Sequence, residues 1–195
     1  MGTKQRLAAL AAVGITGLGG LALQAGTSGA SSSIARAELH DASGNVVGEV
    51  VFKRREGEIV GQAEVQLPAG GSEFRGFHIH ANADGAGCVA PAFTSVGGHW
   101  DVGGHNHGAH TGDLPVLMGD AGGHAESEFV IGKFEPNDII GRAVIVHVLA
   151  DSYANINTRY ASSTSPAGGG ADPTTLANGD AGGRFACGVI QPRSG

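Results

Sequence analysis

Hydrophobic and polar residues alternate in short runs along this chain from about residue 35 onward. Turn-forming glycine, asparagine and aspartate separate the runs. Because side chains alternate across a strand, such a run predicts a strand with one buried face. The runs fall at residues 35–40, 46–54, 58–67, 76–81, 114–118, 124–131, 141–150 and 184–190. About eight short strands predict an antiparallel sandwich or barrel.

Two long segments interrupt this strand pattern. Residues 81–113 are rich in glycine and histidine and have no periodicity, and residues 151–183 form a second loop. Loops of this length inside a compact domain are usually functional or disordered. We therefore expect both loops to contribute to a site.

The first thirty residues have a different pattern. Lys4 and Arg6 precede an uncharged, mostly apolar stretch at 7–23, and small residues follow it. This is the pattern of a secretory signal peptide. A retained membrane anchor is the alternative, but its glycines make the stretch a poor span. We therefore assign 1–30 to a signal peptide and 31–195 to one domain. We expect a secreted, extracellular or cell-envelope protein without a stable membrane span after cleavage.

Composition and charge limit the fold class and the kinds of partner that the chain could bind. Glycine provides 35 of the 195 residues and charged residues only 15%, which fits short strands and glycine-rich loops better than helices. The net charge is −6, from 12 basic and 18 acidic residues. Removal of residues 1–30 leaves 10 basic and 18 acidic residues, a charge of −8. This balance argues against nucleic acid as a partner.

The chain has two cysteines, Cys88 and Cys187. In an exported chain an even number of cysteines predicts a disulfide. Two free buried thiols are the alternative.

Histidines are concentrated in and beside the first long loop. His78 and His80 flank Ile79, so both point to one face of a predicted strand. Neutral histidine is the commonest metal ligand, although a solvated pair on an exposed strand has the same spacing. His40 and His124 stand in polar surroundings and are expected to be solvated. The remaining candidates are His99, His105, His107, His110, Asp113 and His147.

Five motifs, in this order, resemble those of copper/zinc superoxide dismutases of the secreted bacterial type. They are GFHIHAN at 76–82, GGHW at 97–100, HTGDLPVL at 110–117, IVHVLAD at 145–151 and NGDAGGRFACGVI at 178–190. The resemblance covers about residues 34–190. It implies an all-β, eight-stranded antiparallel Greek-key sandwich or barrel with two long functional loops. It also implies dismutation of superoxide to oxygen and hydrogen peroxide by a redox-cycling copper with a structural zinc.

The resemblance also implies the metal ligands. Copper would be held by His78, His80, His99 and His147. Zinc would be held by His99, His110, Asp113 and one of the pair His105 and His107. His107 is favoured over His105, because it follows the bridging His99 by eight positions and precedes a glycine, as in the family. Imidazoles suit copper(II), and nitrogen with carboxylate ligands suits zinc.

Three further roles follow from the same resemblance. Asp151 would link a copper ligand to a zinc ligand by hydrogen bonds. Arg184 would bind the anion beside the copper, and His99 would pass on a proton. The bridge between Cys88 and Cys187 would tether the strand of Arg184.

The superoxide anion is the implied substrate, and its attraction is expected to be weak. Residues 151–183 hold Arg159 and no lysine. Family members with lysines in this loop guide the anion through them, so we predict weaker electrostatic steering, and a weaker fall in rate with added salt, than in those relatives. Family members differ in how they pair, so a homodimer is compatible with the sequence.

A second function remains open at this point. A secreted copper-binding or copper-buffering protein could use the same fold, since a fold does not guarantee an activity. Arg184 and a bridging His99 favour the enzyme, because a metal store needs neither.

Overall fold

The computed structural model describes residues 32–70 and 73–193, and ten β-strands lie within these ranges. The strands are β1 (Ser32–Asp41), β2 (Val46–Arg55), β3 (Glu58–Gln66), β4 (Phe74–Arg75), β5 (Phe77–His80), β6 (Leu117–Met118), β7 (His124–Ile131), β8 (Ala143–His147), β9 (Arg184–Val189) and β10 (Gln191–Pro192). Two short helices, α1 (Pro136–Ile139) and α2 (Pro173–Asn178), lie in connections. In this described part of the chain no helix is long and apolar enough to cross a membrane. The predicted signal peptide at 1–30 lies outside the described residues.

Eight of the ten strands form one antiparallel sheet that curls into a barrel, and β4 and β6 form a separate pair. The order is β5-β8-β9-β1-β2-β3-β7, and β10 also pairs with β1. The pair β4–β6 fills the gap between β7 and β5. Gly119 after β6 bridges Ala125 of β7, and only Gly76 separates β4 from β5. Since β4 continues into β5, and β9 into β10, the barrel has eight strands, and the predicted fold class is confirmed.

The connections have Greek-key topology. The strand formed by β4 and β5, then β6, then β7 follow one another, and the chain then returns to place β8 beside β5. Three consecutive strands with a fourth beside the first define this motif. The return connection contains α1.

The barrel interior is filled by aliphatic and aromatic side chains. Phe77 of β5 and Phe129 of β7 meet edge to face with ring centroids 6.0 Å apart. Every residue of β5 and β8 is buried. One face of each strand packs into this core and the other is covered by loops: Phe93 and Val96 of the first loop pack with Ile145 of β8. The side chains on that covered face are therefore shielded from solvent.

The apolar run at 141–150 overestimates the length of β8. The strand ends at His147, and Val148 and Leu149 are 37% and 51% exposed. The main chain turns away here, where pairing with β9 becomes irregular between Val146 and His147. Apolar sequence therefore continues into the second loop.

The second long loop contains one element that the strand pattern did not predict, the helix α2. The Asp172 carboxylate accepts hydrogen bonds from the N–H groups of Thr174 and Thr175, both at 3.0 Å. Pro173 occupies the first turn and Gly179 ends the helix with φ +64°. These are ordinary helix start and stop residues, so the signal was present in the sequence.

Four glutamates from four neighbouring strands stand side by side outside the barrel. The register pairs Glu38 with Glu49, Glu49 with Glu64, and Glu64 with Glu126. Like charges directly opposite one another destabilise a sheet. Arg36 offsets part of this repulsion, since its guanidinium lies 3.1 Å from Glu38 and 2.6 Å from Glu49. We call these four residues the glutamate row.

The predicted disulfide between Cys88 and Cys187 is confirmed, and it closes a loop with a sequence separation of 99. We expect the double variant Cys88→Ala/Cys187→Ala to lose about 4 kcal/mol of unfolding free energy, because the open chain regains loop entropy. Denaturant titration under oxidising conditions measures this. A reductant should lower the midpoint of the unaltered protein and leave that of the variant unchanged; equal midpoints for both oxidised proteins would contradict the prediction.

Candidate metal centre

The candidate ligands converge on the covered face of β5 and β8. His78 and His80 lie on β5, and His147 is the last residue of the neighbouring strand β8. The first long loop is paired along β5, with His78 bridging Asp113 and His80 bridging His99. Ligands that are far apart in the sequence are therefore brought together by strand pairing.

A closed ring of three main-chain hydrogen bonds fixes these segments. The N–H of Ile79 donates to the carbonyl of Gly112. The N–H of Gly112 donates to the carbonyl of Trp100, and the N–H of Trp100 donates back to the carbonyl of Ile79. Each bond is 2.8 Å long. Each of the three residues is a direct neighbour of a candidate ligand. A Cβ on Gly112 would overlap the carbonyl oxygen of Ile79, so glycine is required for this close approach.

Four imidazoles form the first cluster. Ring nitrogens of His78, His80, His99 and His147 lie within 4.8 Å of one another. Nδ1 of His80 donates to the carbonyl of Gly97 at 2.9 Å, and Nδ1 of His147 donates to a carbonyl at 3.2 Å. The two Nε2 atoms are then directed inward and lie 3.4 Å apart. Each of these rings thus presents one nitrogen to a common point.

A second cluster shares His99 with the first. Nδ1 of His99 lies 3.1 Å from Nδ1 of His107 and 3.3 Å from Oδ1 of Asp113. Nδ1 of His110 lies 3.4 Å from the same Oδ1. The other carboxylate oxygen, Oδ2, accepts from the N–H groups of Gly108 at 2.7 Å and His110 at 3.0 Å. The backbone therefore orients the carboxylate so that Oδ1 faces three imidazoles.

Three buried ring nitrogens indicate whether the two clusters could hold metal ions. Nδ1 of His78, Nε2 of His99 and Nδ1 of His110 have no hydrogen-bond partner among the described residues. A buried polar atom without a partner is costly, whereas a metal ion would satisfy it. The unpartnered Nε2 of His99 belongs to the first cluster, and its Nδ1 belongs to the second. The donor set fits two neighbouring metals that share this ring.

Asp151 connects the two clusters. Its Oδ2 accepts from Nε2 of His78 at 2.6 Å and its Oδ1 from Nε2 of His107 at 2.7 Å. Each ring therefore keeps Nδ1 for its own cluster. Such a carboxylate fixes the tautomer and the orientation of a ligating histidine.

The other histidines lie apart from both clusters. The His105 side chain is 52% exposed and its Nδ1 lies 2.9 Å from the Asp101 carboxylate. His124 is exposed, and His40 is half-buried with its Nε2 3.1 Å from Glu38. The structure therefore places His107, and not His105, among the candidate ligands.

Burial and hydrogen bonding shift the pKa values in opposite directions at different rings. Burial lowers the pKa of His99 to about 4 and that of His147 to about 3. Burial also acts to lower the pKa of His107, but hydrogen bonds to Asp113 and Asp151 outweigh it and raise that pKa to about 9. Only a neutral imidazole binds a metal. At neutral pH His99 and His147 are already neutral, whereas His107 must release a proton when a metal binds.

Arg184 stands beside the first cluster at the start of β9. It pairs in register with His147, and its guanidinium donates to the carbonyls of Phe93 and Gly97. Both carbonyls belong to the first long loop, which the disulfide ties to β9 through Cys187. The half-buried guanidinium is thus held close to the candidate ligands, on a strand that the disulfide fixes to the first long loop.

Two glycines that the sequence analysis did not single out make room for the ligands. A Cβ on Gly179 would overlap Oδ1 of Asp151 and Nε2 of His107, and a Cβ on Gly76 would crowd Ala181 and His78. The NG dipeptide at the end of α2 was the available sequence signal for Gly179. Gly76 had no comparable signal, because a close approach between distant segments leaves no local pattern.

Tyr153 covers the outer side of the second cluster. Its ring stacks on His107 with centroids 6.2 Å apart at 13°. Its hydroxyl accepts from the N–H of Val116 at 2.7 Å and donates to the carbonyl of Leu114 at 3.3 Å. Its own N–H donates to Asp151 at 2.7 Å. Through Tyr153, the second long loop is attached to the segment that follows the first, next to the candidate ligands.

Comparison with known proteins relates the chain to one family. The sequence model of the copper/zinc superoxide dismutase family matches residues 46–190. The Cu-Zn superoxide dismutase of Schizosaccharomyces pombe is 37% identical over 126 residues, 60% of this chain and 70% of the relative. That of Mycobacterium tuberculosis is 38% identical over 128 residues, and the match spans 60% of this chain but only 52% of the relative's own length.

Solved structures show the same similarity. The Cu/Zn superoxide dismutase from Brucella abortus has a TM-score of 0.60 and 25% identity, covering 83% of this chain and 100% of that chain. A double mutant of a SOD-like protein from Bacillus subtilis has a TM-score of 0.61 and 27% identity, covering 82% and 99%.

The contact of Gly179 with the second cluster predicts a specific defect. Gly179→Ala should weaken binding of a divalent metal such as zinc by about tenfold or more, because the added methyl displaces the carboxylate that orients His107. Chelator competition measures this affinity. Gly85→Ala is the control: Gly85 has a similar φ of +66° and no neighbour within 4 Å. It carries the same backbone strain, so equal zinc affinities in the two variants would refute the explanation.

Proposed function

The chain belongs to the copper/zinc superoxide dismutase family, and on that premise we propose that it dismutes superoxide to oxygen and hydrogen peroxide. The observation that carries this proposal is the convergence of four imidazoles beside the Arg184 guanidinium. Bound copper supplies the one-electron acceptor and donor that dismutation needs, and zinc is structural. One superoxide is oxidised to oxygen, and a second is reduced and takes up two protons to give hydrogen peroxide.

The first cluster is proposed as the copper site. His78 would bind through Nδ1, since its Nε2 is held by Asp151. His80 and His147 would bind through Nε2, since carbonyls hold their Nδ1 atoms. His99 would bind through the unpartnered Nε2. These assignments follow from which nitrogen of each ring is already committed to a protein partner.

The second cluster is proposed as the zinc site, with His99, His107, His110 and Asp113 as ligands. Nδ1 of His99 and Nδ1 of His107 lie 3.1 Å apart, and both are near Oδ1 of Asp113. A set of three nitrogens and one carboxylate oxygen suits tetrahedral zinc. His105 is left out because it is exposed and paired with Asp101.

Two residues are proposed to act on the substrate. Arg184 orients the anion through its cationic guanidinium, which loop carbonyls hold next to His147. When its Nε2 is not bound to copper, His99 would hold a proton on that nitrogen and pass it to the reduced oxygen, while its Nδ1 stays committed to the zinc side. Because the ring is buried, that proton is delivered from a fixed position.

We also propose that the protein works outside the cytoplasm. The disulfide supports this, since such bonds persist in oxidising compartments. The apolar stretch at 7–23 supports it as well. A weaker salt dependence of the rate than in relatives with lysines in the second loop stays a prediction of the sequence, and a homodimer stays compatible with it.

His147→Ala should abolish copper binding and superoxide consumption together, because it removes one of four ligands and leaves the rest of the barrel intact. Metal analysis and a superoxide consumption assay on the copper- and zinc-loaded protein measure both. His124→Ala, at an exposed histidine on β7, should keep both properties. A loaded protein that consumes no superoxide would instead indicate a copper store and refute the proposed enzyme.

His107→Ala and His105→Ala should separate the two candidate zinc ligands. We expect His107→Ala to lose zinc affinity by about 10-fold to 100-fold or more, in line with the cost of losing metal-site partners. His105→Ala should bind zinc like the unaltered protein, because its ring contacts Asp101 instead. The reverse order of zinc affinities, measured by chelator competition, would overturn the assignment.

A further inference from the structure

Lys133 belongs to none of the groups described above. It follows β7, at the start of the connection that returns to β8. Its Nζ donates to the carbonyl oxygen of His110 at 3.0 Å and to that of Asp113 at 3.2 Å. One ammonium group therefore holds both ends of the turn that carries two of the proposed zinc ligands.

The turn between these two ligands is attached to β5 at one end only: Asp113 bridges His78, whereas His110 has no such bridge among the described residues. The N–H of Asp113 reaches the carbonyl of His110 at 3.3 Å. Nδ1 of His110 has no partner among the described residues. Among the described residues, no carboxylate accepts a hydrogen bond from its Nε2, as Asp151 does from Nε2 of His107. The backbone of the turn must therefore set the position of the His110 ring.

Charge and geometry act in opposite directions at Lys133. An ammonium group near a dication repels it, so the charge of Lys133 opposes zinc binding. Its two hydrogen bonds fix the turn and thereby favour binding. If the charge dominated, removal of Lys133 would strengthen zinc binding. If the hydrogen bonds dominated, removal would weaken it.

We propose that Lys133 is a positioning residue for zinc: by holding the two carbonyls it places His110 and Asp113 for binding. This inference rests on the proposed zinc site and concerns the chain's own residues. Lys133 touches no copper ligand in the described structure, so its effect is confined to zinc.

Lys133→Met removes both hydrogen bonds and the charge while keeping the length of the side chain. We expect it to weaken zinc binding by about tenfold, the usual cost of losing a hydrogen-bond partner of a metal ligand. Copper affinity should be unchanged. Lys133→Arg keeps the donors and should restore most of the affinity. Lys53→Met is the matched control, because Lys53 lies on β2 and donates to Gln62.

Zinc and copper affinities are measured separately by chelator competition. Cobalt(II) placed in the zinc site gives a visible absorption spectrum that reports ligand geometry. We expect this spectrum to change in Lys133→Met and to return in Lys133→Arg. Circular dichroism of the metal-free variants shows whether the barrel still folds.

The outcomes distinguish this inference from the proposed function. Zinc binding by Lys133→Met that is as tight as in the unaltered protein, or tighter, with the same cobalt spectrum, would overturn the inference and leave the proposed function standing. An equal loss of copper and zinc affinity would also overturn it, since that indicates a general loosening. If the unaltered protein bound no zinc, the zinc half of the proposed function would fail, and this inference with it.

Discussion

The metal centre depends on a ring of three main-chain hydrogen bonds among Ile79, Trp100 and Gly112. Each of these residues is a neighbour of a ligand, so the ring sets the distance between the ligand-bearing segments through the backbone. Side chains on well-fixed backbone make precise sites, because little freedom is left to lose when a ligand binds. The requirement for glycine at position 112 follows from the same closeness.

The second long loop connects the two metal sites, which the ring of main-chain hydrogen bonds does not do. Asp151 accepts from one ring of each site, and Tyr153 stacks on His107 and donates to the same carboxylate. Gly179 leaves the space that this carboxylate needs. Asp151, Tyr153 and Gly179 of this loop are therefore part of the framework that holds the ligands.

Much of this arrangement could be predicted from the sequence. Alternation located most of the strands, and the spacing of His78 and His80 placed both rings on one face. The run at 114–118 found β6 but overestimated its length, since β6 has only two residues, and β4, also of two residues, is too short to show a period. The contacts of Lys133 and Tyr153 could not be predicted, because they join segments that are distant in sequence and no local pattern encodes them. The end of β8 was missed because Val148 and Leu149 are apolar yet exposed.

The glutamate row bears on how two copies of this chain can meet. A twofold axis brings the same patch of both subunits face to face. An axis passing through the middle of the row would set Glu49 and Glu64 of one copy against those of the other, and neither Arg36 could then neutralise both sides. Self-association through this face is therefore disfavoured at neutral pH, and a symmetric pair would have its interface elsewhere on the barrel.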